Sequence, residues 1–187
     1  MSPVRSPWRK KFNNFFRIRL TGNVQKKRIM SEVNHNNRVK QTSNGVNRVI
    51  IHCDGGSRGN PGPSASGVVI EYNGNIKEYS QYLGEKTNNE AEYEAVIFAL
   101  KKTKALLGKV GVKNREVEVL VDSELLFKQI TGKYKVLDKK IQSLFLQLWN
   151  LKIDFSLIVF RHILRDGNKQ ADKLVNRELD TCSSVLF

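Results

Sequence analysis

Four carboxylates stand apart from the other acidic residues by where they fall: Asp54, Glu92, Asp122 and Asp172. Most of the remaining acids are interspersed with Lys and Arg, as on a solvated face. Asp54 closes the apolar run Val49-Ile50-Ile51-His52-Cys53, and Asp122 closes a second one, Val117 to Val121. Glu92 falls in the first turns of a helical stretch and Asp172 inside the last one. If the two apolar runs are neighbouring strands, Asp54 and Asp122 stand side by side where the chain leaves the sheet, the usual place for a site in an α/β fold. Like charges held that close repel and raise one another's pKa. A divalent cation removes the repulsion, and oxygen-only donors suit Mg²⁺ or Mn²⁺. The simpler account is that Asp54 and Asp122 merely cap turns and helices. Spacing alone leaves both open.

The elements that must position these acids follow from pattern. Val49 to Cys53, Gly67 to Tyr72 and Ile76 to Leu83 read as three strands, the last two joined by Asn73-Gly74, a strong two-residue hairpin signal. Thr87-Asn88-Asn89 supplies cap chemistry for a helix from Glu90 to Leu107 with Ala91, Ala95, Phe98 and Ala99 on one face. Val117 to Val121 is a fourth strand, and Asp122-Ser123 opens a helix to Ile130. A third helix, Asp138 to Leu151, is expected to bury Ile141, Leu144, Phe145, Leu148 and Trp149. Phe155 to Ile163 is a fifth strand, and Asn168 to Leu179 a last helix. Three hairpin-linked strands followed by alternating helices and strands predict an α/β fold. Its mixed five-stranded sheet, three strands antiparallel and then two parallel, is flanked by about four helices.

The chain has 187 residues, with 32 Lys and Arg against 18 Asp and Glu, a net charge of +14. That length suits one domain with residues to spare. No run approaches 18 consecutive apolar residues, so no membrane-spanning helix is expected. Cys53 and Cys182 lie far apart and match neither a disulfide framework nor a zinc site, which points to a reducing, cytoplasmic compartment. The charge points to a polyanionic partner.

That charge is concentrated at one end. Residues 1–46 hold 11 basic residues against Glu32 alone, a net +10. Residues 31–46 are polar and Asn-rich and read as a linker. Trp8, Phe12, Phe15, Phe16 and Leu20 fall at helical spacing among Arg and Lys. Three readings stay open: an amphipathic helix formed on nucleic acid or an anionic membrane, a mitochondrial-type presequence, and a solvated disordered tail. The domain proper is expected over residues 47–182, with a short tail at 183–187.

The Gly-rich stretch from Gly55 to Gly62 has no Gly-Lys-Ser/Thr ending and opens into no helix, so it is not a nucleotide-phosphate loop. It reads as a tight connection that lets a nucleic-acid backbone approach. Cys53, beside Asp54, is a small buried residue rather than a nucleophile, because neighbouring acids raise a thiol's pKa.

Four segments carry a resemblance. Asp54-Gly-Gly-Ser-Arg-Gly-Asn-Pro-Gly-Pro63, Thr87-Asn-Asn-Glu-Ala-Glu-Tyr93, Val121-Asp-Ser-Glu-Leu125 and Arg165-x-x-Asn168-x-x-Ala171-Asp172 resemble, in order and spacing, the successive motifs of the type 1 ribonuclease H family. The similarity runs from about Arg48 to Asp180. The Asp-Ser-Glu-Leu form, Thr131-Gly-Lys-Tyr134 and the short link into the third helix resemble the compact archaeal and bacterial subgroup. That subgroup lacks the basic protrusion with which longer relatives grip hybrid.

The resemblance implies a ribonuclease H-like fold and endonucleolytic hydrolysis of the RNA strand of an RNA/DNA hybrid, leaving 5′-phosphate and 3′-hydroxyl ends. It implies that Asp54, Glu92, Asp122 and Asp172 are catalytic and hold two Mg²⁺ ions, with Mn²⁺ as a substitute. Asp54 would lie between the ions, with Glu92 and Asp122 on one and Asp172 on the other. His162 matches a mobile histidine that assists proton transfer or product release. Ser57, Asn60, Thr87, Asn88, Asn89 and Glu124 match substrate contacts, and Asn and Thr suit 2′-hydroxyl recognition. The basic tail is expected to supply phosphate contacts in place of the missing protrusion, and nothing demands more than a monomer. Two rivals remain: a catalytically silent nucleic-acid-binding module, and another nuclease of the wider superfamily such as a resolvase or integrase.

Overall fold

The computed structural model describes residues 48–185; the readings made for residues 1–46 and for the final two residues lie outside them. Three strands come first: β1 (Arg48–Ser57), β2 (Gly62–Tyr72) and β3 (Asn75–Lys86). Next are α1 (Asn88–Lys113), β4 (Glu116–Val121), α2 (Glu124–Ile130), α3 (Lys139–Lys152) and β5 (Leu157–His162). A 3₁₀ turn (Arg165–Asn168) leads into α4 (Lys169–Val185). The sheet order is β3-β2-β1-β4-β5, with β1, β2 and β3 antiparallel and β4 running parallel to both β1 and β5. This is the mixed five-stranded sheet that the pattern predicts.

Local chemistry sets the boundaries. Asn73 and Gly74 both have positive φ, 49° and 74°, which gives the hairpin between β2 and β3 a turn whose twist matches its strands. Thr87 caps α1 in a reciprocal box: its side chain accepts from the Glu90 amide, and the Glu90 carboxylate accepts from the Thr87 amide at 2.8 Å. Ser123 and Asp138 cap α2 and α3 by accepting from backbone amides with their side chains, without a reciprocal bond.

The sheet is covered on both faces. Neighbouring residues on a strand point to opposite sides. A Cβ on Gly55 would strike the backbone of Ala91 in α1, whereas one on Gly56 would meet Val175 in α4. Helices α1 and α4 therefore lie on opposite faces. On the α1 side, Val49, Ile51 and Cys53 of β1, Val68 and Ile70 of β2, and Val117, Val119 and Val121 of β4 pack with Ala95, Val96 and Ala99. On the other face Glu118 of β4 is buried, held between Arg48 and Arg161 on the two flanking strands. Among the described residues no helix is long and apolar enough to cross a membrane.

The structure departs from expectation in several places. β1 does not end at Asp54 but continues through Gly55-Gly56-Ser57, because β2 begins at Gly62 and pairs with it as far as Ser57–Ser64. The connecting turn thus shrinks to residues 58–61. Helix α1 passes Leu107 with a kink at Gly108, whose φ of 69° breaks the helical path before a further turn forms. Helix α4 runs beyond Leu179 to Val185. In α3, Ile141 and Leu148 are buried and Leu144 and Phe145 pack against the core, but Trp149 is 49% exposed. It lies on the rim of that face, stacked on Phe145 at 6.0 Å with the Lys152 ammonium 4.5 Å from its ring.

Candidate active site

Each of the four predicted carboxylates is delivered by a different element. The ladder between β1 and β4 pairs His52 with Leu120, so Asp54 and Asp122, two residues further on, leave adjacent strands at the same end of the sheet. Gly55 lets α1 press its first turn onto β1, which sets Glu92 beside Asp54. Helix α4 crosses β2 at Gly67 and contributes Asp172. All four acids line one cleft of about 370 Å³, together with Ser57, Arg58, Asn88, Ser123, Arg165 and Asn176. A larger, mostly apolar cavity of about 770 Å³ lies between α3 and β5 and contains none of these acids.

The electrostatics register how close the acids are. Burial, followed by the charges of Asp122, Asp172 and Glu92, pushes Asp54 up to about 7, and only the Arg165 guanidinium opposes the rise. Burial also raises Glu92, with Asp122 adding to it and a hydrogen bond from Ser123 pulling the other way. The Cys53 thiol is pushed far up by burial and then by Asp54 and Asp122, so it stays protonated. It is no nucleophile.

Polar neighbours hold the acids. The Ser123 hydroxyl donates to Glu92 Oε2, and Asn88 Nδ2 donates to Oε1 at 3.0 Å. Arg165 Nη2 donates to Asp172 Oδ1 and Asn176 Nδ2 to its Oδ2, both at 3.1 Å. Asn168 Nδ2 donates to Asp122 Oδ1 at 3.0 Å. The donor set is all oxygen and carries four carboxylates against two guanidiniums, Arg165 and an Arg58 that is paired with Asp180 outside the cleft, a composition suited to hard divalent cations. Among the described residues no three acidic, His or Cys side chains stand grouped so as to hold a metal ion.

The other predicted residues divide. Ser57, Asn60 and Asn88 form one knot at the start of α1: the Ser57 amide donates to Asn88 Oδ1 at 3.3 Å, and the Asn88 amide to Asn60 Oδ1 at 3.1 Å. Thr87 is the cap of α1. Asn89 lies outside the cleft, in an adjoining groove that it lines with Glu92, Leu125, Gln129 and Lys135. Glu124 and His162 do not line the cleft either. Glu124 is paired with Lys128 at 2.6 Å and held below the usual carboxylate range by it. His162 ends β5, with Nε2 3.1 Å from the backbone oxygen of Asp122 and its ring 5.9 Å from that of Phe127.

Sequence reasoning assigns no role to Ser123, Asn168 or Arg165, although all three stand inside the motifs that carry the resemblance. A local signal exists only for Ser123, as the residue after Asp122 at a helix start.

The sequence profile of a family described as reverse transcriptase-like matches residues 52–178. The solved structure of LC11-RNase H1, a protein isolated from compost, in complex with an RNA/DNA hybrid is 44% identical. It covers 72% of this chain and 98% of its own, with a TM-score of 0.67. The chain belongs to the type 1 ribonuclease H family. A protein named ribonuclease HI from Halobacterium salinarum is 36% identical over 135 residues, covering 71% of this chain and 65% of its own length. A protein of Mycobacterium tuberculosis named bifunctional protein Rv2228c is 35% identical over 139 residues, 73% of this chain. This chain spans 36% of that relative's length. Helix α2 connects to α3 through residues 131–138 with no helix between them.

Proposed function

We propose that this chain is a ribonuclease H that hydrolyses the RNA strand of an RNA/DNA hybrid with divalent cations, Mg²⁺ or Mn²⁺, leaving 5′-phosphate and 3′-hydroxyl ends. The observation that carries the reading is the convergence of Asp54, Glu92, Asp122 and Asp172 from four elements in one cleft, with Asp54 raised by burial and then by the charges of the other three. A module that only bound nucleic acid would have no use for four mutually repelling acids. The family membership adds to this, as does the hybrid bound by the 44%-identical LC11 protein.

Asp54, Glu92, Asp122 and Asp172 would hold the divalent cations. When bound, these would supply activation of a water at neutral pH and neutralisation of charge on the leaving 3′-oxygen. The chain's own residues do the rest. Ser123 and Asn88 orient Glu92, and Arg165 offers a cation at the lip of the cleft for a phosphate. The knot of Ser57, Asn60 and Asn88 presents amides and carbonyls of the kind that recognise a 2′-hydroxyl. His162, whose Nε2 lies 3.1 Å from the Asp122 backbone oxygen, would move a proton as product leaves. The basic residues of 1–46 supply phosphate contacts without sequence preference.

The test is cleavage of an end-labelled RNA/DNA hybrid in Mg²⁺ and in Mn²⁺. Duplex DNA, duplex RNA and single-stranded RNA run alongside, with Asp122→Asn as control. Cutting confined to the RNA of the hybrid and abolished in the variant is expected. Binding of hybrid without cutting in either cation would replace the enzyme by a binding module, and cutting that survives Asp122→Asn would remove the site.

A further inference from the structure

The parallel ladder between β1 and β4 stops at His52 and Leu120. Beyond it β1 continues against β2 as far as Ser57, and β4 against β5 as far as Val121. The two central strands thus part just before Asp54 and Asp122, where the spacing between those acids is decided. One side chain crosses the opening. Asn168, at the end of the 3₁₀ turn, is 1% exposed, and its Nδ2 donates at 3.0 Å both to the backbone oxygen of Cys53 and to Asp122 Oδ1.

The direction of this amide is fixed by its partners. A carbonyl and a carboxylate only accept, so the rotated amide would set Oδ1 against two acceptors. The consequence falls on Oδ1 itself, which is buried with no hydrogen-bond partner. Buried polar atoms are rarely left so. The two donor bonds, one of them to a charged group, hold the side chain in place against that penalty. The near-isosteric and shorter replacements lose both bonds: Asp has the shape but no donor, Ser does not reach, and Leu leaves the buried Cys53 carbonyl and the partly buried Asp122 oxygen without this donor.

We infer that Asn168 is a positioning residue for the cation site: it sets the gap between Asp54 and Asp122 and so the affinity for a divalent cation. The Cys53 carbonyl belongs to the peptide that carries the Asp54 amide, so a shift of the one moves the other. The clamp commits one oxygen of Asp122 to the protein and leaves the second for a ligand. This inference rests on the metal-dependent reading given above.

The experiment is calorimetric titration of Mn²⁺, and separately of Mg²⁺, into the metal-free full chain with no nucleic acid present. Wild type is compared with Asn168→Ser and Asn168→Asp, whose folding is followed by near-ultraviolet circular dichroism. Removing such a support typically weakens metal binding by about 10–100-fold, and that weakening is expected in a variant that keeps its tertiary signal. A folded variant with wild-type affinity for both cations overturns the inference while leaving the metal-dependent reading intact. Wild type that binds neither cation overturns both. A second measurement needs no variant: the side-chain amide resonance of Asn168 in the wild-type protein, followed during cation titration. It is expected to shift along the binding isotherm while that of exposed Asn150 on α3 stays put; an unmoved Asn168 signal at saturation overturns the inference even if both variants fail to fold.

Discussion

Asp54 lies directly opposite Gly67 in the β1–β2 ladder, and Gly67 has no room for a side chain: a Cβ there would stand 2.3 Å from the backbone oxygen of Ala171, the residue before Asp172. One glycine therefore governs how closely the α4 carboxylate approaches the β1 carboxylate. Gly67→Ala must push α4 off the sheet. We expect a loss of about 2–3 kcal/mol in chemical denaturation and a larger proportional loss of hybrid cleavage than of stability-limited folding yield. Wild-type cleavage in that variant would show that the spacing of Asp54 and Asp172 is not set here.

Stability should depend on pH in an unusual direction. Asp54 is raised from 3.8 to about 7, mainly by burial. Between those values the folded chain keeps a proton that the unfolded chain releases, so stability falls as pH rises through the window. The full penalty is about 4 kcal/mol at 1.36 kcal/mol per pKa unit, and Glu92, also raised, adds in the same sense. Metal-free protein should melt higher at pH 5 than at pH 8. Millimolar Mg²⁺ at pH 8 should recover most of the difference, and Asp54→Asn should flatten the profile. A metal-free melting temperature that climbs steadily from pH 5 to pH 8 would contradict the assignment.

Ser123 has two tasks: it caps α2 and donates to Glu92. Ser123→Ala should cost about 1 kcal/mol through removal of the cap. It should also raise the pKa of Glu92 further, since the Ser123 bond is what lowers it. Carboxyl carbon shifts of Glu92 against pH in the metal-free protein measure the second effect separately from the first. A cap alone would leave that titration where it was.

His162→Ala should slow turnover by about 100-fold if the imidazole moves a proton, with divalent-cation affinity unchanged because the ring contacts Asp122 only through its backbone oxygen. Weakened cation binding with normal turnover would instead make His162 a support for the strand end.

The basic segment is open to a salt experiment. Residues 1–46 carry a net +10. A chain beginning at Arg48 should bind hybrid more weakly than the full chain. The slope of log affinity against log salt should flatten by roughly 0.9 for each phosphate that the shortened chain no longer neutralises. Equal affinity and slope would mean that the segment does not touch the duplex.

The sheet and the four acids are legible in the sequence because hydrophobic period and turn chemistry are local signals. Val49 to Cys53 and Val117 to Val121 announce themselves as strands, and each ends on its acid. The Asp54-Gly-Gly-Ser57 segment reads as a turn on residue type, yet it is strand because β2 supplies a partner there, which no local pattern reveals. Gly108 looks like a helix stop and is a kink. Trp149 fits the buried stripe of α3, but among the described residues it packs along Phe145 at the rim and stays half exposed. Asn168 is the least legible, since its partners lie 115 and 46 residues away in the chain. Its importance comes from the place where two strands separate, a property of the fold and not of any window of residues.

The direction of β1 has a consequence for how this domain can be tethered. Strand β1 begins at Arg48 and reaches Asp54 six residues later, about 20 Å along the strand at roughly 3.3 Å per residue. The chain therefore enters β1 at the end of the sheet away from the cleft. In a chain shortened to Arg48, that geometry makes the start of β1 the natural place for an affinity handle or a surface tether, since it would be joined far from the four acids.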